Sequence, residues 1–401
     1  MIGTPGFFGE RLREAREARG LTATALSEMV GVTNANISHY EHGKQTPSPE
    51  VMERLVQVLN CPRSFFLRRP RPVERAIMFY RSMSAATKMA RVRAEARFGW
   101  LKEVVVYFGA YLDFPQLNVP AFAQPKDASA ITTQQIEEMA AECRRFWNLE
   151  DNPISDLLLV LENNGIIISR GELAVETIDS FSQWPTEETP YIFLNSDKAS
   201  AVRMRFDAAH ELGHLLLHRG VDAKAFKTTS THRLMEDQCH RFSLALLLPA
   251  GRFTGELFAP TLNGFFSLKE RWGVSIAAMI KRCEQLGILD EEQARRTWIN
   301  LSRRGWRKWE PLDDSMVPES PRVLPRSVQL LVESGIKTKE QMLAELNFSA
   351  SDLEGLLCLA PGYFSEKSPL TLVTAKVKQS GDSTPKKEGT IVPFSIAEPD
   401  F

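Results

Sequence analysis

The 401-residue sequence predicts a multidomain chain with an all-α N-terminal domain, an α+β domain and a small helical C-terminal region. Three observations carry that expectation. Residues 1–69 break into short apolar-striped segments punctuated by glycines and by Ser or Thr at capping positions. Residues 152–218 run from a helical pattern through apolar strand-like runs into a long amphipathic helix. A Pro-rich stretch at 113–127 lies between the two. The boundaries read are 1–69, a basic helical connector and linker at 70–127, an α+β unit at 128–311, and a helical region with a flexible tail at 312–401.

Composition excludes several classes. With 43% hydrophobic and 25% charged residues the chain is of globular type rather than disordered. No apolar run approaches the ~18 residues of a membrane helix, and the N-terminus lacks a signal-peptide core, so no membrane partner and a cytoplasmic location are expected. The five cysteines are far apart with no CxxC pair, which argues for buried thiols and against a disulfide framework or a cysteine-rich zinc site. Net charge is −1, but residues 1–105 carry 17 Lys/Arg against 10 Asp/Glu, a surplus of +7 that leaves −8 for the remainder. A basic N-terminal third points toward a polyanion.

Within residues 7–19, Phe8, Leu12 and Ala15 form one apolar stripe, and Gly20 stops the helix. Thr22 caps a second helix, Ala23 to Val30, with Leu26 and Met29 inward. After Gly31, Thr33 caps a third helix through Glu41 with Ile37 and Tyr40 inward. Ser48 caps a fourth, with Pro49 at its first position and Val51, Leu55, Val58 and Leu59 buried. Short helices with a glycine turn between the second and third are a helix-turn-helix pattern. Through Leu26, Gly31, Val32, Ile37, Ser38, Glu41, Gly43 and Pro47 the segment resembles the XRE/Cro-type helix-turn-helix domain. The resemblance implies that residues 33–41 are a recognition helix on a double-stranded DNA operator. Thr33, Asn34, Asn36, Ser38 and His39 would then face bases and phosphates, with Lys44 at the backbone. Ala23 stands where the family often has a phosphate-contacting Gln.

The connector, Glu74 to Tyr111, reads as a helix with Lys88, Arg91, Arg93 and Arg97 on one side and Met89, Val92, Ala96 and Trp100 on the other.

The sharpest motif is His210-Glu211-Leu212-Gly213-His214. Residues four apart share a helix face, so both imidazoles can grip one cation, and Glu211 is placed to take a proton from water. A catalytic zinc needs a further protein ligand. The next amphipathic helix, 235–249, offers Glu236 at its start and His240 one turn later. The pairing of RFDAAHELGHLLLH with EDQCHRFSLALLLP resembles the ImmA/IrrE family of zinc metallopeptidases, a resemblance extending over 128–311. It implies a zincin-like fold of gluzincin type, Zn2+ as cofactor with His210, His214 and Glu236 as ligands, and Glu211 as the catalytic residue. The family's Asn falls on His240, which either hydrogen-bonds a ligand imidazole or competes as a ligand. His218 is read as a surface or packing residue and His232 as solvated on a loop. The strand near 190–195 is expected to pair with an extended substrate.

At 325–359 three short helices are expected, then a flexible stretch at 378–389 and an apolar end that docks elsewhere. The combined resemblance implies a DNA-binding regulator whose peptidase domain relieves repression by cutting a helix-turn-helix repressor, in trans or itself. A homodimer is compatible with that reading. The alternative is a DNA-binding repressor whose metal domain is a silent sensor or scaffold.

Overall fold

Local capping accounts for the N-terminal helices. In the computed structural model, which describes residues 3–70, 78–80, 87–172, 178–185, 189–197, 200–222 and 228–365, these are α1 (Gly9–Ala18), α2 (Ala23–Val30), α3 (Asn34–Glu41), α4 (Pro49–Leu59) and α5 (Arg63–Leu67). Thr22, Thr33 and Ser48 each accept a hydrogen bond from the backbone N–H three residues on, and Pro49 opens α4 as expected. Gly31 ends α2 at φ 69°, a left-handed conformation that suits glycine and turns the chain into α3. Leu12, Leu26, Ile37 and Leu55 are fully buried. Met29, expected inward, is 55% exposed, because Val30 completes the stripe begun by Leu26 four residues earlier.

The connector differs from its expected form. It supplies a strand, β1 (Met78–Tyr80), before the helix α6 (Lys88–Gly109). The buried stripe of α6 runs through Ala90, Ala94, Phe98, Leu101 and Val105, while Met89 is 42% exposed. Arg97 donates to the Glu172 carbonyl rather than standing on a free basic face.

A 3-10 turn (Ala128–Ala130) leads to α7 (Thr133–Phe146), α8 (Leu157–Asn163), β2 (Ile167–Gly171), β3 (Ser180–Gln183) and β4 (Tyr191–Asn195). Then come α9 (Ala201–Leu217), α10 (Thr229–Leu247), α11 (Ala250–Glu256), α12 (Leu262–Trp272), α13 (Ile276–Gln285) and α14 (Glu291–Arg303). The sheet order is β1-β3-β4-β2, with β2 and β4 parallel and the other pairs antiparallel. The strand at 190–195 is therefore flanked on both sides and has no edge for a substrate, which corrects the sequence expectation.

Strand alternation divides the interior in two. Ile168, Ile192 and Leu194 pack with α9 residues Ala208, Leu212 and Leu215 and with Phe242 of α10. Ile167, Tyr191 and Phe193 belong to the other core, with Phe98 and Leu101 of α6. That second core also holds Leu12, Leu26 and Phe65 of the N-terminal helices. It continues into α15 (Val323–Glu333), α16 (Lys339–Leu346) and α17 (Ala350–Leu356), the three helices expected at the C-terminal end. Ion pairs cross the same boundary: Arg11 meets Glu103 of α6 at 2.6 Å, and Arg19 meets Asp352 of α17 at 2.6 Å. Residues 366–401, including the stretch at 378–389 and the apolar end, lie outside the described residues. Among the described residues, no helix is long and apolar enough to cross a membrane.

Candidate metal centre and nucleic-acid interface

The metal motif lies on α9, and close packing of α10 supplies its third side chain. Gly213 permits that approach: a Cβ there would sit 3.1 Å from Phe242 and 3.2 Å from the Cys239 sulfur. His210 and His214 share one face of α9 with Nε2 atoms 3.2 Å apart. Glu236 of α10 brings one carboxylate oxygen to 3.5 Å from His210 Nε2 and the other to 3.3 Å from His214 Nε2. A tetrahedral shell with bonds of about 2.0–2.1 Å has edges of about 3.3–3.4 Å, close to the 3.2 Å between the two imidazole nitrogens and to the approach of one Glu236 oxygen to each of them. The donor set therefore fits zinc. Burial opposes charge on Glu236, yet the facing His210 and His214 hold its carboxyl well below the usual range.

Two other side chains approach the same atoms. His240 offers a nitrogen within 4.8 Å of the ligand atoms of His210 and Glu236, and its ring lies 4.9 Å from that of His210. Cys239 lies within 4.8 Å of the two histidines, but its thiol is buried, faces His218 Nδ1 at 3.6 Å, and is pushed well above its ordinary pKa by desolvation. The other four cysteines are free as well.

A hydrogen-bond chain behind His214 fixes its tautomer. Gln238 donates through Nε2 to the carbonyls of Ala128 and Ile131, so its Oε1 must face the other way. That oxygen lies 2.9 Å from His218 Nε2, which donates to it. His218 Nδ1 then carries a lone pair, 3.1 Å from His214 Nδ1, which donates in turn. His214 Nε2 is left as an acceptor aimed at the site. Burial pushes the His218 imidazole down to about 3, consistent with a neutral ring. His218 is thus fully buried and bonded to a candidate ligand, not a surface residue. His232 is on α10 rather than a loop, 3.7 Å from Glu236. The sequence reading missed Gln238, whose only signal was its place two residues past Glu236 on the same helix.

Glu211 is fully buried, and its two oxygens accept hydrogen bonds of 2.6 Å from Ser180 and Ser182 of β3. Desolvation raises its carboxyl above the ordinary value, although His214 and both serines oppose the shift. A cleft of about 780 Å³ opens beside His240, lined by Phe206, Leu244, Arg203, Arg241 and Lys281 among others.

On the N-terminal side, α3 exposes Asn34 and Ser38, Lys44 follows it on the surface, and His39 is half-buried. Thr33 and Asn36 instead form a capping box: Thr33 Oγ1 accepts from the Asn36 N–H, and Asn36 Oδ1 accepts from the Thr33 N–H. A bidentate contact to adenine needs both amide atoms, so this conformation removes Asn36 from that role. Glu41 is held beneath the helix by Arg16 at 2.6 Å, and His42 binds the Ser38 carbonyl.

Residues 161–284 match the family model described as the IrrE N-terminal-like domain, and residues 12–66 match the model described as Helix-turn-helix. Over 56 residues the chain is 45% identical to RghRB, an uncharacterized HTH-type transcriptional regulator of Bacillus subtilis (strain 168); the match covers 14% of this chain and 40% of that protein. It is 43% identical over 56 residues to the HTH-type transcriptional repressor RghR of the same organism, covering 14% and 42%. A putative HTH-type transcriptional regulatory protein of Pyrococcus furiosus is 43% identical over 61 residues, covering 14% and 19%. The chain thus spans less than half the length of these relatives.

Proposed function

Because this chain joins an XRE-type helix-turn-helix domain to a peptidase domain of the IrrE type, we propose that it is a DNA-binding transcriptional regulator with a zinc-dependent peptidase site. Its substrate on this reading is a helix-turn-helix repressor, a separate partner or a copy of itself. The observation that carries the peptidase half is the convergence of His210 and His214, with Nε2 atoms 3.2 Å apart, on the two carboxylate oxygens of Glu236, one at 3.5 Å from His210 and the other at 3.3 Å from His214. These three residues would hold the zinc, which when bound supplies Lewis acidity toward water and the scissile carbonyl. Glu211 takes the proton of the attacking water and returns it to the leaving amine. Ser180 and Ser182 keep that carboxylate in one orientation, and each of its oxygens retains a second lone pair for the water. On the DNA side, Thr33, Asn34 and Ser38 are the exposed candidates for base or phosphate contact, and Lys44 for the backbone.

One observation favours the silent-sensor alternative: Glu211 has no exposed surface. Glu211→Gln separates the two readings. It should retain one zinc per chain by elemental analysis while cleavage of candidate repressors falls by about 10²–10⁴-fold. Equal fragment formation by the parent and the variant, or none by either, would transfer the function to the sensor reading.

A further inference from the structure

β1 and its surroundings have the form of a filled binding site. Three residues, Met78–Tyr80, pair antiparallel with β3, and Phe79 lies opposite Ser182, the serine that donates to Glu211. The Phe79 ring lies flat on the ring of His214, with centroids 5.2 Å apart and planes 12° from parallel. It is 4% exposed and enclosed by Ala128, Val221 and Met235. These residues come from three separate segments and form, with Phe79, a small apolar cluster apart from the two main cores. A short strand on a sheet edge, with one side chain seated in a pocket, is the geometry of strand addition. Backbone pairing supplies affinity there and the pocket supplies specificity.

We infer that the edge of β3 and the pocket of Ala128, Val221, Met235 and the His214 ring form a peptide-binding site for an extended segment bearing an aromatic side chain. The chain's own Met78–Tyr80 is its resident occupant. The inference deepens the peptidase reading, on which it rests for its consequence: the peptide lies against Ser182, which donates to Glu211, and against a candidate metal ligand. A tethered occupant competes at an effective concentration of order mM, so an incoming segment must displace it. This places substrate selection at the edge of the sheet and gives the connector between the two domains a part in it.

The test is peptide binding by the full chain carrying Glu211→Gln, so that cleavage does not intervene. The probe is a fluorescein-labelled peptide with the sequence of residues 76–82, AIMFYRS, beside the same peptide with Ala in place of Phe. Fluorescence anisotropy should show the probe binding at least tenfold tighter after Phe79→Ala, and the Ala peptide should lose that gain. Phe79→Leu, which keeps an apolar side chain for the pocket, guards against a folding defect and should bind the probe with intermediate affinity. A gain below tenfold in both variants, or equal binding of the two peptides, overturns the inference. Because binding is read without hydrolysis, such a result is distinct from failure of the peptidase reading, which is read as absent cleavage by the chain retaining Glu211.

Discussion

Gln238 decides which nitrogen His214 presents, though it touches no candidate substrate. Its amide is pinned by two carbonyls, so His218 and then His214 have one tautomer each. Gln238→Leu removes the pin while keeping much of the apolar volume. Zinc affinity, measured by competition with a chromogenic chelator, should fall about 10–100-fold, with the helical circular dichroism unchanged. An unaltered affinity would show that His214 needs no support. Asn36 is a parallel case at the DNA end. Asn36→Ala opens the capping box and should lower stability, affecting all duplexes alike. Lys44→Ala should leave stability intact and reduce the salt dependence of binding by about one phosphate contact. Thermal melts and salt titrations of the two variants give these outcomes directly. A sequence-selective loss in Asn36→Ala would return that residue to base reading.

Among the elements, α15 depends on a carboxylate from a distant part of the chain. Glu162, at the end of α8, accepts hydrogen bonds from the backbone N–H groups of Arg322 and Val323, satisfying donors at the start of the helix. Burial nevertheless pushes its carboxyl up to about 7 against an ordinary 4.5. The folded state therefore holds this proton more tightly than the unfolded chain. The associated stability is fully present below about pH 4.5 and lost as pH rises through about 7. Urea midpoints measured from pH 5 to 8 should carry a falling component in the parent that is missing in Glu162→Ala. Capping and apolar periodicity were readable in the sequence wherever the cause was local, as at Thr22, Thr33, Ser48 and Pro49, and α9 was readable from its motif. The pair of serines on β3, the edge position of β1 and the seating of Phe79 were not, since each depends on which strands pair. On α6 the expected apolar side holds at Trp100, which is buried, and fails at Met89, because the helix is buried on more than one face and Ala90, Ala94 and Phe98 carry much of the packing.

At the scale of the whole molecule, the two functional ends share an interior. The N-terminal helices contribute to the same core as α6, one face of the sheet and α15–α17, so the helix-turn-helix region is not packed as an independent bead. The junction is aromatic: Phe348, 3% exposed, lies 5.7 Å from Phe65 of α5 and 5.3 Å from Trp100 of α6. Trp100 in turn lies 5.6 Å from Phe65, so each ring touches the other two. Phe348→Ala removes one of three interlocked rings at a position that cannot collapse without moving both partners. The expected cost is about 3–5 kcal/mol, large enough to be a substantial part of a domain's stability. If the shared core makes one cooperative unit, calorimetry of the variant should show the N-terminal helices and the sheet melting together at a lower temperature. Operator affinity at a fixed temperature below that melt should follow the fraction folded. Melting of the helix-turn-helix region as a separate, unshifted transition would show that the common interior transmits no stability, leaving Arg11–Glu103 and Arg19–Asp352 as local ties between independent domains. A joint shift would instead mean that any event loosening α6 or the sheet edge also reaches α3 through Phe65 and Leu12.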